Sequence, residues 1–225
     1  IGNKKIISLK GHHEMQSFDI NVPPDPSNAC FFIVQTLCMQ KSKIKLKNVC
    51  INYFRTGFID ILNKMGAKIK IFNKRKIKGE YVADILVKSK KLKNISVPKS
   101  IIPRTIDELP VLFIICALSK GKAKFNGIAE LRIKESDRIA TVVSGLQSVG
   151  IEVTEQPDGM VIAGGVIQEG TVDSRKDHRV AMAFAVAGAT GVVRILNCAN
   201  VVTSFPDFAK CSQRVGVKLR EEKTG

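Results

Sequence analysis

Residues Leu146–Val153 read LQSVGIEV, a pattern of helix end, glycine and alternating strand that occurs three times in the chain. The other two copies are Leu62–Ile71 (LNKMGAKIKI) and Ser212–Leu219 (SQRVGVKL). Each glycine stands where a helix should end, because glycine takes the left-handed conformation after a helix without steric cost. The residues that follow alternate apolar and polar, which predicts a strand with one buried face.

A second pattern precedes each copy and extends the repeat. An apolar run typical of a helix comes first, in Ala29–Met39, Leu109–Leu118 and Val180–Ala189. A strand-like stretch follows each run, in Lys43–Val49, Lys122–Ile128 and Val192–Cys198. The unit is therefore helix, strand, helix, strand, with further short strands joining the copies. Its period of roughly 65 to 85 residues exceeds that of solenoid repeats, so we expect three-fold internal pseudo-symmetry in one α/β domain.

Length and composition favour one large domain, or one domain plus a fragment, among 225 residues of which 44% are apolar. No apolar run approaches the length of a membrane span. The chain opens with Ile1–Lys5, which lacks the apolar core of a signal peptide and does not include an initiator methionine. We interpret this start as an internal point of a longer protein.

The six cysteines show no CxxC spacing, and most lie within apolar runs. This usage is typical of buried, reduced thiols in a cytosolic protein, so we expect a cytoplasmic location.

The net charge of +16 comes mainly from lysine, with 26 lysines against 10 arginines. Lys41, Lys43, Lys45 and Lys47 alternate with other residues, as the exposed side of a strand would. Nucleic-acid readers more often use arginine with interleaved aromatic residues, and this chain has no Trp and two Tyr. The lysines therefore indicate a solvated face whose field would attract anionic substrates.

The densest charged cluster is residues 130–139, which read ELRIKESDRI. Ser136 or Asp137 could cap the helix that follows, leaving backbone N–H groups free to face an anion. Lys134 and Arg138 are four residues apart, so they would share a face once that helix begins. A helix start with solvated charges is the alternative interpretation.

A second charged cluster spans residues 173–179, which read DSRKDHR before the apolar run of the third copy. Arg179 would stand at a helix N-terminus, where a cation is unfavourable unless an anion is bound. Two arginines, Arg138 and Arg179, suit the planar, two-oxygen binding of a carboxylate or phosphate. The clusters together predict a site for a small polyanion with acid and base groups beside it.

Four titratable side chains adjoin these cations. Glu135 is a candidate acid or base, and His178 is either a general acid or base or a structural histidine. Asp107 and Glu108 directly precede an apolar helical run, so each is either an N-terminal cap or a catalytic base.

Four ordered motifs resemble the 5-enolpyruvylshikimate-3-phosphate (EPSP) synthase family, an enolpyruvyl transferase family of aromatic amino-acid biosynthesis. They are Thr105–Pro110 (TIDELP), Glu130–Arg138 (ELRIKESDR), Asp177–Phe184 (DHRVAMAF) and Thr203–Phe208 (TSFPDF). The similarity runs through essentially the whole chain but matches only the C-terminal half of the family's protein.

The resemblance implies a fold of two similar domains, each an inside-out α/β barrel of three βαβαββ repeats. Residues 1–22 would end the first domain and approach the hinge, and residues 23–225 would form the C-terminal domain. The family's second domain also takes in a segment from the N-terminus of the longer protein.

The same resemblance implies the reaction and its residues. The 5-hydroxyl of shikimate 3-phosphate adds to C2 of phosphoenolpyruvate, and the tetrahedral adduct then loses phosphate. Asp107 corresponds to the group that takes the hydroxyl proton and contacts the shikimate ring. Lys134 corresponds to a contact of the shikimate phosphate and, with Glu135, to a proton-transfer candidate. Arg138 and Arg179 correspond to the pair that holds phosphoenolpyruvate.

The resemblance implies neither a metal nor an organic cofactor, since fixed cations supply the polarisation. The partners would be the two small substrates and the N-terminal half of the same enzyme, with no nucleic acid and no membrane. Two positions depart from the family pattern, with Pro24 at a hinge glycine and Thr203 where some members have lysine. We expect Asp107→Ala or Arg138→Ala to abolish most turnover while leaving the fold intact.

Three other functions are compatible with some of these residues. A truncated, non-catalytic remnant would fold poorly or bind anions without turnover. UDP-N-acetylglucosamine enolpyruvyl transferase shares the fold, but it would not be expected to carry the segment KESDR of residues 134–138. A basic nucleic-acid-binding module is supported by the net charge alone.

Overall fold

Helices and strands alternate along the chain in a computed structural model that describes residues 6–12, 14, 16, 17, 19–77 and 79–222. The helices are α1 (Pro26–Cys38), α2 (Gly57–Lys64), α3 (Leu109–Ala117), α4 (Arg138–Ser148), α5 (His178–Ala187), α6 (Val201–Ser204) and α7 (Phe208–Arg214). The strands are β1 (Lys43–Cys50), β2 (Lys70–Ile77), β3 (Glu80–Lys88), β4 (Lys122–Asn126), β5 (Val153–Gln156), β6 (Gly159–Ala163), β7 (Gly170–Asp173) and β8 (Val193–Leu196). Short 3-10 helices span Tyr53–Arg55, Lys99–Arg104 and Ala129–Ile133.

The order of the elements confirms the three-fold repeat. The first copy is α1, β1, α2, β2 and β3, and the second is α3, β4, α4, β5 and β6. In both, the last strand lies between the other two and pairs antiparallel with each. The third copy begins with β7, which pairs parallel to β8 on the far side of α5. Lys93 forms a parallel bridge with Lys120, just before β4, and Ser96 forms one with Lys124 within β4. The second copy therefore also has a leading parallel segment.

The helix ends confirm the prediction made for the three glycines. Gly66, Gly150 and Gly216 have φ of 104°, 80° and 99°. The residue after each glycine donates its N–H to a carbonyl five residues back, at 2.9, 2.9 and 3.0 Å. The glycine N–H itself bonds to the carbonyl three residues back, at 2.9, 3.0 and 3.0 Å. This pair of bonds is the Schellman motif, and it recurs in all three copies.

One predicted strand is not formed among the described residues. The pattern predicts strands after all three glycines, and β2 and β5 follow the first two. After Gly216 the burial still alternates, with Val217 buried and Lys218 exposed, but residues 217–222 make no strand. A strand needs a hydrogen-bonding partner. β2 and β5 pair with the strands that follow them, β3 and β6, whereas the third copy has no following strand within residues 217–222.

The core lies between the leading helices of the three copies. α1, α3 and α5 contact one another, and every residue of α3 is buried. A helix that is apolar on all sides belongs inside, which explains why Val111–Ile115 carries no polar face. The sheets pack against these helices, as the inside-out α/β barrel implied by the family resemblance requires. No helix in the described part of the chain is long and apolar enough to span a membrane.

The lysine face and the cysteines agree with the sequence patterns. Lys43, Lys45 and Lys47 are exposed along β1, while Ile44 and Leu46 between them are partly covered. All six cysteines are free thiols, three of them buried and one, Cys198, exposed.

The Schellman glycines allow a direct test of the repeat. Gly66→Ala should lower the free energy of unfolding by about 1 kcal/mol, because alanine is strained at positive φ. A Cβ at Gly66 meets no atom within 4 Å, so the effect isolates the backbone conformation. Gly11→Ala is the control, since it also meets nothing within 4 Å and its φ is not in the left-handed region. Equal urea-unfolding curves for the two variants would contradict the assignment.

Candidate active site

Four helices of the three copies begin at one place. At their starts, α1 contacts α3, α3 contacts α5, and α4 contacts both α3 and α5. The contacts that join them are Ser27 to Glu108, Arg179 to Asp107, Arg138 to Asp107 and Arg138 to Asp177. Helix N-termini carry partial positive charge, so their convergence favours an anion here.

A buried ion pair connects the starts of α4 and α5. Nε of Arg138 donates to Oδ2 of Asp177 at 2.8 Å, and the two side chains are 1% and 0% exposed. Oδ1 of Asp177 accepts from the backbone N–H groups of Arg179 and Val180, at 2.9 and 3.3 Å, and so caps α5. Burial alone would raise the pKa of Asp177, but the hydrogen bond and charge of Arg138 bring it below its ordinary value.

Asp107 lies between the two arginines. Its Oδ1 is 3.8 Å from Nη1 of Arg138, and its Oδ2 is 3.6 Å from Nη2 of Arg179. Arg179 also donates to the backbone carbonyl of Asp107 at 3.2 Å. The side chain of Asp107 is 42% exposed, which leaves a face open to a substrate. Glu108 stands at the N-cap of α3 but makes no capping bond, so the capping interpretation is not supported there.

Glu135 joins the same cluster through Arg138. Its Oε2 accepts from Nη2 of Arg138 at 2.5 Å, and its Oε1 is 4.0 Å from Nδ1 of His178. Burial, together with the charge of Arg179, lowers the pKa of His178 below its ordinary value. The neutral imidazole is therefore favoured at pH 7.

Lys134 does not share a face with Arg138, and that prediction is wrong. α4 begins only at Arg138, because Asp137 caps it by accepting from Ala140 N–H at 2.9 Å. Lys134 therefore lies before the helix, where its Nζ is 2.6 Å from Oε1 of Glu130. Of the two cap candidates, Asp137 takes that position, and Ser136 instead donates to Oδ2 of Asp177 at 3.1 Å.

Sequence reasoning missed two residues that hold the site in place. Asp177 pairs with Arg138, and its position just before an apolar helix was a signal for a cap. Arg132 fixes the loop before α4, with 2.8 Å bonds to Asp137 and Glu155. Nothing local in the sequence points to the second bond, because Glu155 is 23 residues away on β5.

The departures from the family pattern lie outside this cluster. Pro24 is exposed, and its carbonyl accepts from Cys50 N–H at 3.0 Å. Thr203 lies on α6, where its hydroxyl donates to the carbonyl of Asn200 at 2.7 Å.

The charges of the cluster favour acid and base chemistry beside an anion. Three carboxylates, those of Asp107, Glu135 and Asp177, contact the Arg138 guanidinium, and Asp107 also contacts Arg179. Because these carboxylates outnumber the two arginines, an anion at this place would also need the positive ends of the helix dipoles. Further cations from outside the described part of the chain would strengthen anion binding here.

The burial of Arg138 revises the expectation that Arg138→Ala leaves the fold intact. Removing the guanidinium leaves Asp177 buried without its partner, which should destabilise the chain by about 3–5 kcal/mol at pH 7. Lowering the pH to about 4 should reduce the difference in free energy of unfolding between the variant and the parent, because Asp177 of the variant can then be protonated.

The matched control is Arg194→Ala, since Arg194 is 65% exposed and pairs with an exposed glutamate. Urea unfolding of the two variants at both pH values is the measurement. A loss below about 1 kcal/mol for Arg138→Ala would contradict the central role of the pair.

Comparison with known proteins identifies the family. The family model described as EPSP synthase (3-phosphoshikimate 1-carboxyvinyltransferase) matches residues 1–211. A 3-phosphoshikimate 1-carboxyvinyltransferase of Coxiella burnetii is 45% identical over 97% of this chain, and one of Legionella pneumophila is 47% identical over 96%. The chain spans about half the length of these curated relatives, at 50% of each.

Solved structures agree with the family model. The EPSP synthase of Acinetobacter baumannii is 40% identical, with a TM-score of 0.85 over 88% of this chain and 47% of that one. The enolpyruvyl transferase NikO of Streptomyces tendae, 14% identical, shares the fold with a TM-score of 0.69 over 92% of this chain and 46% of its own. From the matched motifs, the repeat and these similarities, the chain belongs to the EPSP synthase (3-phosphoshikimate 1-carboxyvinyltransferase) family.

Proposed function

We propose that this chain is the C-terminal half of an enzyme that transfers the enolpyruvyl group of phosphoenolpyruvate to the 5-hydroxyl of shikimate 3-phosphate. The observation that carries the proposal is the position of Asp107 between Arg138 and Arg179 where helix N-termini converge. A base beside an anion-binding arginine pair is what the reaction needs, and relatives over this half are named for that activity.

In this proposal residues of the cluster take part in the reaction. Arg138 and Arg179 bind phosphoenolpyruvate, and Asp107 accepts the proton of the 5-hydroxyl as its oxygen bonds to C2. Glu135, with Lys134, delivers a proton to the methylene carbon, which completes the tetrahedral adduct. Loss of that carbon's proton and of phosphate then regenerates the double bond. Lys134 would leave Glu130 to contact the phosphate of shikimate 3-phosphate.

The proposal assigns residues 23–225 to the second domain and residues 1–22 to the end of the first domain and the approach to the hinge. The first copy has no leading strand among the described residues, and the third has no strand pair after Gly216. Three carboxylates against two guanidinium groups likewise favour a site completed by the N-terminal half of the enzyme. The free thiols support a cytoplasmic location.

The proposed function is tested in an assembled protein, in which this chain replaces the matching half of the C. burnetii relative. Phosphate release from phosphoenolpyruvate and shikimate 3-phosphate should require both halves, and the chain alone should release none. A folded assembled protein that releases no phosphate would favour a non-catalytic remnant.

Asp107→Ala in the assembled protein should lower kcat by roughly 10²- to 10⁴-fold, because the hydroxyl proton loses its acceptor. Thermal unfolding should stay close to that of the parent, since the Asp107 side chain is partly exposed. Glu152→Gln is the control, because Glu152 is 76% exposed and lies outside the cluster. A kcat/KM near that of the parent would rule out Asp107 as the base.

A further inference from the structure

Glu108 is a buried carboxyl group that the proposed reaction does not use. It is 4% exposed and directly follows Asp107, at the start of α3. Its Oε1 accepts a short hydrogen bond from Oγ of Ser27, in the first turn of α1. Since the two residues are 81 positions apart, this bond joins the first and second copies of the repeat.

Arg55 extends this contact toward the hinge. Its Nη2 is 3.3 Å from Oγ of Ser27 and 2.6 Å from Oδ1 of Asp25, the residue that caps α1. The 3-10 helix that carries Arg55 is held by Arg104, whose Nε donates to the carbonyl of Tyr53 at 2.9 Å. A continuous polar chain therefore runs from Asp25, beside the hinge, through Arg55 and Ser27 to Glu108.

The Glu108 end of this series of polar contacts borders the candidate site. A cleft of about 50 Å³ is lined by Ser27, Arg55, Asp107 and Glu108, among others, so both carboxyl groups border it. Burial raises the pKa of Glu108 to about 7, and Asp107 adds to this, while the Ser27 bond and the charges of Arg179 and Arg55 oppose it. Cys30 on α1 also faces this group, and burial keeps its thiol neutral by raising its pKa.

We propose that Glu108 is a positioning residue, which with Ser27 and Arg55 clamps α1 to α3 and so holds Asp107 and Arg179 in place. This inference rests on the proposed function. Ionised Glu108 accepts from Ser27 and balances the charges of Arg179 and Arg55. Neutral Glu108 no longer attracts Arg179 and Arg55, so Arg179 is oriented less closely, even though burial makes the ionised form the less stable of the two.

The test uses the assembled protein and compares Glu108→Gln, Ser27→Ala and Ser27→Thr with the parent. Glu108→Gln should lower kcat roughly 10- to 100-fold, because a small displacement of the base is enough to slow the reaction. The parent's kcat should change with an inflection near pH 7, and Glu108→Gln should lack it. Ser27→Ala should move the inflection to higher pH, because the bond that stabilises the charged form is lost. Ser27→Thr keeps a hydroxyl at this position and should show the inflection at the same pH as the parent.

A residue that only fills space would not move the inflection. If kcat and its pH profile are unchanged in Glu108→Gln and Ser27→Ala, the proposal is overturned. It is also overturned if kcat falls equally at every pH, with the inflection in its original place, since Glu108 would then act through packing alone. If Glu108→Gln fails to fold, the two Ser27 variants decide the matter by the position of the inflection.

A second measurement separates this inference from the proposed function. In the chain alone, the folded-state pKa of Glu108 lies above its unfolded value, so its contribution to stability is full below about pH 4.5 and is lost as the pH rises through about 7. The difference in free energy of unfolding between parent and Glu108→Gln should follow that course. If the assembled protein is inactive but the difference in free energy of unfolding follows this pH dependence, the proposed function is refuted and the clamp is supported as a structural element. A pH-independent difference refutes the clamp, whatever the activity.

Discussion

The buried pair of Arg138 and Asp177 is the interaction on which the candidate site depends. Arg138 stands at the first position of α4, where the helix dipole disfavours a cation, and it is almost fully removed from water. It is tolerated because Asp177 supplies a charge at hydrogen-bonding distance and because Asp177 is itself satisfied by the N–H groups of α5. Glu135 and Asp107 are then arranged around the same guanidinium group.

The three-fold repeat explains why so many helix starts meet there. Each copy ends its last helix with the same Schellman motif and places its first helix in the shared core. α1, α3 and α5 pack together, so their N-terminal ends face one another. The copies differ at the starts of their helices, where Asp107 and Glu108 precede α3, Arg138 begins α4 and Arg179 lies in the first turn of α5. A symmetric core therefore supports an asymmetric set of charges.

The edges of the repeat and the charges of the site both bear on the proposal that this chain is half of a longer enzyme. The third copy has a parallel strand pair but no trailing strands within the described residues, and carboxylates outnumber arginines in the cluster. The chain spans about half the length of its curated relatives. These observations together support the proposal that the site is shared with an N-terminal half of the enzyme. The polar chain from Asp25 to Glu108 would lie on the path between that half and Asp107.

The sequence by itself determined the repeat, the glycine-terminated helices, the core helices and the family, because periodicity and backbone preference are local properties. It also identified Asp107, Glu135, Arg138 and Arg179 as members of one cluster, through motifs matched to a family. Only the tertiary structure decided that Lys134 pairs with Glu130, that Arg132 reaches Glu155, and that Glu108 contacts Ser27 across two copies of the repeat. The partners of Arg132 and Glu108 lie far away in the chain, whereas Lys134 pairs with a residue four positions away because α4, capped by Asp137, begins only at Arg138. Long-range pairing also explains why residues 217–222 form no strand, since a strand exists only where a neighbour pairs with it.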